Sequence, residues 1–211
     1  MPPIKYAIFD VGQTIYPFSL VPLIEYMQKE TLEPDFFANQ HTPRFYDYNP
    51  YMKGAMTNTE FTEELCFFCR VPYHKNRLAE INTALHQGCG KRFPETLKAM
   101  HQLKQNGAEI CLLSNALPLL ADTGADLVKP QYAFTSYELK LLKPDYEIFQ
   151  AVLEKLKIKP EQTLFIDDKK TNVEAAQSLG INGIVYTPNT ILKELTSYLQ
   201  PLPKISRSRE V

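Results

Sequence analysis

The chain contains 211 residues, of which 44% are hydrophobic and 22% are charged, and its net charge at pH 7 is −1. This composition is typical of a folded globular protein with one main core, and it lacks the basic excess of a nucleic-acid-binding protein. No apolar stretch approaches the roughly 20 residues of a membrane-spanning helix, and the first residues do not resemble a signal peptide. We therefore expect a cytoplasmic protein with no nucleic-acid or membrane partner, present as a monomer or a homodimer.

The first predicted element is an apolar run at residues 4–9, which ends in Asp10 and is followed by Gly12, Gln13 and Thr14. A strand inside a parallel sheet is covered on both faces, so a run of β-branched and aromatic residues predicts such a strand. Asp10 then lies at the carboxyl end of the strand, the edge where open α/β sheets bind ligands. Taken alone, this aspartate is equally consistent with a solvated turn.

Apolar residues at helical spacing predict three helices in the next part of the chain, at residues 20–31, 57–70 and 75–87. Thr57 and Glu60 have the spacing of a capping box directly before the second of these helices. Residues 40–54 carry several aromatic rings, which either line a pocket or fill the interior of a small helical bundle. We favour the interior for these rings: Phe45, Tyr46, Tyr48 and Tyr51.

Cys66 and Cys69 are separated by two residues, a spacing found in redox and zinc sites. No second pair with this spacing and no paired histidines accompany them. We therefore expect both thiols to pack along the helix as small apolar groups.

From residue 93 onwards predicted helices and strands alternate, which indicates a parallel, doubly wound α/β sheet. The helix at 94–105 ends at a good C-cap, Asn106-Gly107, and Lys143-Pro144-Asp145 opens another helix with proline near its first turn. The remaining elements are strands at 109–113, 132–135, 163–166 and 183–186, a short helix after Asn115, and helices at 172–179 and 189–199.

This pattern divides the chain into an α/β core and an inserted helical segment. We expect residues 1–15 and 91–203 to form the core and residues 16–90 to form a small α-helical cap after the first strand. Residues 204–211 are predicted to be a polar, disordered tail.

Three predicted strands end in polar residues, and a lysine begins a helix between the second and the last of them. The carboxyl ends of parallel strands meet at one edge of a sheet. There an aspartate can attack phosphorus, carboxylates can hold Mg²⁺ beside a phosphate, and ammonium and hydroxyl groups can bind phosphoryl oxygens. The set predicts Mg²⁺-dependent phosphoryl transfer: Asp10, Ser114-Asn115, Lys143 and Asp167-Asp168.

These stretches resemble, in order, the four motifs of the haloacid dehalogenase (HAD) superfamily, and the resemblance covers essentially the whole chain. The matching residues are Asp10-Val11-Gly12-Gln13-Thr14, Ser114, Lys143-Pro144, and Asp167-Asp168 with Asn172. Residues 53–61 are similar to the cap signature of the members with a helical cap. The resemblance implies a Rossmann-like core, a mobile cap and hydrolase activity.

The resemblance also implies roles for individual residues. Asp10 is expected to be the nucleophile, and Asp10, the main-chain carbonyl of Gly12 and Asp168 are expected to surround Mg²⁺. Asp167 and Asn172 are expected to act through water and through hydrogen bonds to the ligands. The residues expected to bind the phosphate are Val11, Gly12, Thr14, Ser114, Asn115 and Lys143.

Gly12 departs from the family pattern, which usually has a second aspartate there that protonates the leaving oxygen and then activates water. Such acid–base catalysis typically contributes about 10²–10⁴ in rate. In a phosphatase, a good leaving group, water or a cap residue would have to replace it. The candidate residues are Tyr16, His41, Tyr46, Tyr48 and Lys53.

Two other interpretations of Gly12 remain open from the sequence. The protein is either a catalytically impaired relative that binds phosphate, Mg²⁺ or a protein partner in a regulatory role, or a dehalogenase that acts on carbon. A metal-free dehalogenase has no use for Asp167-Asp168 beside Lys143. We therefore favour a Mg²⁺-dependent phosphatase that hydrolyses a small phosphorylated metabolite, such as a sugar phosphate, through an aspartyl-phosphate.

Overall fold

A five-stranded parallel sheet forms the centre of the computed structural model, which describes residues 2–39 and 41–199. The strands are β1 (Tyr6–Phe9), β2 (Glu109–Ser114), β3 (Ala133–Thr135), β4 (Thr163–Asp167) and β5 (Asn182–Val185), in the order β3-β2-β1-β4-β5. All four neighbouring pairs are parallel. The predicted tail at residues 204–211 lies outside the described residues.

The part of the chain that the structure describes contains ten α-helices, numbered in chain order. They are α1 (Val21–Glu30), α2 (Pro34–Asn39), α3 (Asn49–Met52), α4 (Asn58–Phe68), α5 (Arg77–Gln87), α6 (Pro94–Gln105), α7 (Ser136–Leu139), α8 (Tyr146–Leu156), α9 (Lys170–Ser178) and α10 (Ile191–Leu195).

Helices cover both sides of the sheet. Successive residues of a strand point to opposite sides, and the residues on both sides are apolar, so both sides are buried. Phe9 and Ile166 belong to the cluster packed against α6 and α10. Ile8 and Phe165 belong to the cluster packed against α8 and α9. The predicted doubly wound α/β architecture is therefore confirmed.

The register of β1 brings polar residues together at one edge of the sheet. Phe9 pairs with Leu112 on one side and with Ile166 on the other. The main-chain N–H of Asp10 donates to the carbonyl of Ile166 at 2.9 Å. Asp10 thus lies level with the ends of β2 and β4, as parallel strands require.

Helices α1–α5 lie between β1 and α6 in the sequence, and we call them the helical insertion. They pack around a hydrophobic cluster of their own. Tyr51 and Phe61 are fully buried there and stack face to face, with 4.0 Å between ring centroids. The predicted capping box begins α4, because Thr57 accepts a hydrogen bond from the main chain of Glu60 and the Glu60 carboxylate accepts one from Thr57.

Most of the aromatic rings predicted to fill this interior do so. Tyr51 is buried, and Tyr46 and Tyr48 are half-buried against the same cluster. Phe45 is the exception, because 63% of it is exposed.

Cys66 and Cys69 are buried in the same cluster as free thiols. Burial raises the pKa of both groups, which disfavours the reactive thiolate form. The expectation that they pack as apolar groups is confirmed.

Two extended segments join the helical insertion to the sheet and run side by side. Gly90 donates to the carbonyl of Pro17 at 2.8 Å, and Ser19 donates to the carbonyl of Gly88 at 3.0 Å. A Cβ atom at Gly88 would lie 2.1 Å from the carbonyl oxygen of Ser19, so this approach leaves no room for a side chain.

Some predicted elements differ from the structure. Between β2 and β3 the chain makes three 3₁₀ turns rather than the predicted short helix, at Pro118–Leu120, Ala125–Leu127 and Pro130–Tyr132. Gly124, with a φ of 85°, interrupts this segment. The single-turn or near single-turn helices α2, α3 and α7 are too short to produce a periodic signal.

Lys143-Pro144-Asp145 directly precedes α8, near whose first turn Pro144 is predicted to lie. Asp145 is the N-cap and the helix begins at Tyr146. The last helix is shorter than the predicted 189–199 and covers Ile191–Leu195. Among the described residues, none of the helices combines the length and the apolar character needed to cross a lipid bilayer.

Replacing Phe61 by alanine should lower the free energy of unfolding by about 3–5 kcal/mol, because it removes a fully buried ring from the helical insertion. Urea denaturation followed by circular dichroism measures the change. Phe67 lies on the same helix but is 75% exposed, so Phe67→Ala is the matched control and should cost less than about 1 kcal/mol. Equal losses in the two variants would contradict the described packing of α4.

Candidate active site

The ammonium group of Lys143 lies between two carboxylates at the carboxyl edge of the sheet. Its Nζ donates to Oδ1 of Asp10 at 2.6 Å, to Oδ2 of Asp167 at 2.8 Å and to the carbonyl of Leu113 at 2.8 Å. An ammonium group has three donors, and all three are used. The Lys143 side chain is buried, so the ion pairs are shielded from water.

Asn115, which follows β2, fixes the main chain of Lys143. Its Nδ2 donates to the carbonyl of Lys143 at 2.8 Å, and its Oδ1 accepts from the N–H of Lys143 at 2.9 Å. Both ends of the amide are thereby occupied. Asn115 therefore positions Lys143 through two main-chain hydrogen bonds.

The Asp167 carboxylate is fully buried and fully bonded. Oδ1 accepts from the N–H of Lys169 at 2.8 Å and from Asn172 at 3.0 Å. Oδ2 accepts from Lys143 and from Asn172, the latter at 2.9 Å. Asp167 and Asn172 therefore orient the lysine rather than face the solvent.

Asp10 differs from Asp167 because it lines an open cavity. Lys143 contacts only one of its carboxylate oxygens, so the other remains available to a ligand. Burial raises the pKa of Asp10, the Lys143 ammonium opposes this, and Asp167 adds to it. Burial acts to lower the pKa of Lys143, but the two carboxylates outweigh it and raise that pKa.

The cavity above Asp10 has a volume of about 190 Å³. The sheet contributes mainly polar residues to its lining, among them Asp10, Ser114 and Asp168. Asp168 is half-buried, and burial together with the neighbouring Asp167 raises its pKa. The apolar part of the lining is formed by Tyr16, Phe18, Leu117 and Leu120.

The acidic residues of this edge have the composition of a cation site. One carboxylate oxygen each from Asp10, Asp167 and Asp168 lies within 4.8 Å of the others. Hard oxygen donors of this kind suit Mg²⁺. Asp167 is already bonded to Lys143 and Asn172, so Asp10 and Asp168 are the carboxylates with oxygen atoms available to a cation. Gly12 lines the same cavity. The donor set fits a hard divalent ion.

Two residues expected at the phosphate lie away from the open cavity. Thr14 is fully buried, and its Oγ1 has no hydrogen-bond partner among the described residues. Its carbonyl accepts from the hydroxyl of Thr96 at 2.6 Å, which ties the loop after β1 to α6. The Val11 side chain is buried in the core, which leaves only its main chain for a ligand.

Of the five candidates for replacing the missing acid, Tyr16 alone lines the cavity. Its hydroxyl donates to Oγ1 of Thr123 at 2.6 Å. His41 stacks on Phe36 instead. Tyr46 and Tyr48 are in the cluster of the helical insertion, and Lys53 is exposed.

Sequence reasoning missed several lining residues because they lie outside any periodic element. They are Gln13, Phe18, Leu117, Leu120 and Thr123. Leu117 and Leu120 follow the polar end of β2, and only the contact with the helical insertion brings them to the cavity.

A model of the haloacid dehalogenase-like hydrolases matches residues 4–180 of the chain. The chain belongs to this family of hydrolases.

The chain is similar in sequence to proteins with different names. The chain is 30% identical over 159 residues to mouse acyl-CoA dehydrogenase family member 10, which covers 71% of this chain and 14% of that protein. It is therefore similar to a small part of that relative. It is 28% identical over 192 residues to the sesquiterpene phosphatase astK of Aspergillus oryzae, which covers 87% of this chain and 90% of the relative.

Solved structures have the same fold. A HAD family enzyme of Bacteroides thetaiotaomicron in complex with magnesium superimposes with a TM-score of 0.73 at 25% identity, covering 92% of this chain and 98% of that one. The same enzyme has also been solved with magnesium and inorganic phosphate.

Replacing Lys143 by methionine should lower the free energy of unfolding by about 3–5 kcal/mol, because it leaves the buried carboxylates of Asp10 and Asp167 without their cation. Thermal and urea unfolding measure the loss. Lys140 is exposed and donates only to the carbonyl of Gly54, at 2.8 Å. Lys140→Met is the matched control and should change stability by less than about 1 kcal/mol. A small effect of Lys143→Met would contradict a buried ion-pair network.

Proposed function

We propose that this hydrolase is a Mg²⁺-dependent phosphatase of a small phosphorylated metabolite, with Asp10 as the nucleophile. One observation carries the proposal. Lys143 binds one oxygen of Asp10 and holds the carboxylate against the cavity, while Asp168 lies beside it. This is the arrangement that in-line attack of a carboxylate on phosphorus requires.

Two displacements at phosphorus account for the reaction. The unbonded oxygen of Asp10 attacks phosphorus, and the bond from phosphorus to the leaving oxygen breaks. Water then attacks the aspartyl-phosphate, which releases inorganic phosphate and restores the Asp10 carboxylate. Lys143 keeps the carboxylate oriented, and the hydroxyl of Ser114 and the main chain of Val11 and Gly12 bind phosphoryl oxygens.

Asp10, the carbonyl of Gly12 and Asp168 would hold the Mg²⁺ ion. When bound, such an ion offsets the negative charge of the phosphoryl group. Asp167 fixes the position of the Lys143 ammonium group by accepting its hydrogen bond. Asp167 is itself held by hydrogen bonds from Asn172 and from the N–H of Lys169 at the start of α9. Thr14 and Asn115 hold neighbouring main chain in place. The carbonyl of Thr14 accepts a hydrogen bond from Thr96, and Asn115 donates one to the carbonyl of Lys143.

The helical insertion serves in this proposal as a cap over the cavity, with residues 16–90 as the cap and residues 1–15 and 91–203 as the core. The paired segments around Pro17 and Gly90 form the two connections between these parts. A cap of this kind excludes water from the reacting group when it closes.

The relatives support this proposal at the level of reaction class. One full-length relative is named a sesquiterpene phosphatase, and a structural neighbour binds magnesium and inorganic phosphate. Gly12 favours a second candidate function, a protein that binds phosphate and Mg²⁺ in a regulatory role without turnover. The experiment below separates the two.

Purified protein with Mg²⁺ should hydrolyse 4-nitrophenyl phosphate, and Asp10→Asn should reduce kcat by at least about 10³-fold because the nucleophile is lost. Release of 4-nitrophenolate measures the rate. Asp35→Asn, at an exposed carboxylate of α2, is the control and should leave kcat unchanged. Equal rates in wild type and Asp10→Asn would exclude Asp10 as the nucleophile. Binding of a phosphate mimic without any turnover would instead support the regulatory alternative.

Replacing Asp168 by asparagine should raise the Mg²⁺ concentration for half-maximal activity by at least about 10-fold, because a charged ligand becomes neutral. A Mg²⁺ titration of the hydrolysis rate measures the shift. Asp122→Asn, at an exposed aspartate outside the cavity lining, should leave the titration curve in place. Activity that survives complete chelation of divalent ions would contradict a metal-dependent site.

A further inference from the structure

We propose that the substrate is the phosphate ester of an acidic hydroxyl on a ring-sized apolar group, a phenol or an enol, rather than of a sugar. The leaving oxygen departs as an anion, without a proton from the protein. This inference rests on the proposed phosphatase function and adds the class of its leaving group.

The first observation is that the described lining of the cavity holds no carboxyl or imidazole group besides Asp10 and Asp168 to protonate the leaving oxygen. The titratable residues of its described lining are Asp10, Tyr16, Asp168 and Lys169. Asp10 attacks phosphorus and Asp168 is a proposed cation ligand. The hydroxyl hydrogen of Tyr16 is directed to Thr123, and the side chain of Lys169 is exposed to solvent.

The second observation concerns Gly12, which lines the cavity without a side chain. A Cβ atom built at Gly12 would have no other atom within 4 Å, and the backbone there is outside the left-handed region. Neither packing nor conformation therefore requires glycine at this position. The site has room for an acid next to Asp10 and does not carry one.

The third observation is the apolar part of the cavity lining, which we call the apolar wall (Tyr16, Phe18, Leu117 and Leu120). Leu117 and Leu120 are buried and belong to the cluster of the helical insertion, and Phe18 packs against the same cluster. A cavity of about 190 Å³ is comparable to the roughly 150 Å³ that accommodates a benzene ring. One ring-sized apolar group fits this wall.

Two polar side chains near this wall donate hydrogen bonds to the main chain of its residues. Nε2 of Gln13 donates to the carbonyl of Phe18 at 2.7 Å. The hydroxyl of Thr123 donates to the carbonyl of Leu120 at 2.6 Å. A sugar would bury hydroxyl groups against carbon here, at about 1–3 kcal/mol for each unsatisfied group, whereas an aromatic ring would not.

The chemistry of the first displacement connects these observations. As the oxygen of Asp10 bonds to phosphorus, the electron pair of the breaking phosphorus–oxygen bond goes to the leaving oxygen. With no proton donor, that oxygen leaves as a phenolate or enolate and takes a proton later from water. Only a hydroxyl compound acidic enough to carry the charge leaves quickly in this way.

The test is a series of phosphate esters of similar size: 4-nitrophenyl, phenyl and cyclohexyl phosphate, with glucose 6-phosphate as the sugar. For the wild type, kcat/KM should fall steeply along the first three, with cyclohexyl phosphate at least about 10²-fold below phenyl phosphate. Gly12→Asp introduces a carboxyl group and should raise the rate on cyclohexyl phosphate relative to phenyl phosphate by about 10²-fold or more. Gly12→Ala, which adds only a methyl group, should keep the steep dependence.

Each outcome separates this inference from the proposed function. If kcat/KM for cyclohexyl phosphate equals that for phenyl phosphate, or if glucose 6-phosphate has the highest kcat/KM, the proposed class of leaving group is wrong. Hydrolysis that depends on Asp10 would still support the phosphatase function. Absence of hydrolysis of every ester by the wild type would overturn the phosphatase function itself. The wild-type series decides the matter even where Gly12→Asp does not fold.

Discussion

The structure depends on one buried electrostatic arrangement, a lysine ammonium between two carboxylates. Charges buried in a protein interior are costly unless they are paired and hydrogen-bonded, and here the pairing engages the ends of β1, β2 and β4. Asn115 fixes the main chain of Lys143, and Asn172 completes the bonding of Asp167. The neighbouring polar residues therefore supply the hydrogen bonds that the buried charges need. One carboxylate oxygen of Asp10 is left for a ligand in the cavity.

The cavity is divided between two chemical environments. The sheet edge supplies carboxylates, a hydroxyl and main-chain groups. The segment between β1 and α1 supplies the aromatic side chains of Tyr16 and Phe18, and the segment after β2 supplies leucine side chains. In the proposed reaction the phosphoryl group would contact the polar residues, and an apolar leaving group would contact the apolar residues. Residues at strand ends would thus act on the phosphoryl group, and residues of the two irregular segments after β1 and β2 would contact the leaving group.

The sequence allowed the fold and the convergence of Asp10, Ser114, Lys143 and the aspartate pair to be predicted, because parallel strands necessarily end at one edge. The residues alone do not separate Asp167 from Asp168, and only the family resemblance assigned Mg²⁺ to Asp168 and supporting hydrogen bonds to Asp167. In the structure Asp167 is buried and bonded to Lys143 and Asn172. Asn115, which is expected to bind phosphate, lines the cavity and also bonds the main chain of Lys143. Nothing in the sequence indicates this second contact. The apolar lining residues lie in irregular segments, Tyr16 and Phe18 before α1 and Leu117 and Leu120 at a 3₁₀ turn. Such segments have no periodic pattern to detect.

The most direct test of the central claim is to locate the covalent intermediate. Rapid mixing of the protein with a ³²P-labelled aryl phosphate and Mg²⁺, acid quenching and peptide mapping would identify the labelled residue. The label should be acid-stable, hydroxylamine-sensitive and located on the peptide that contains Asp10, and it should be absent in Asp10→Asn. Label on another residue, or steady turnover with no labelled protein at any time, would contradict it.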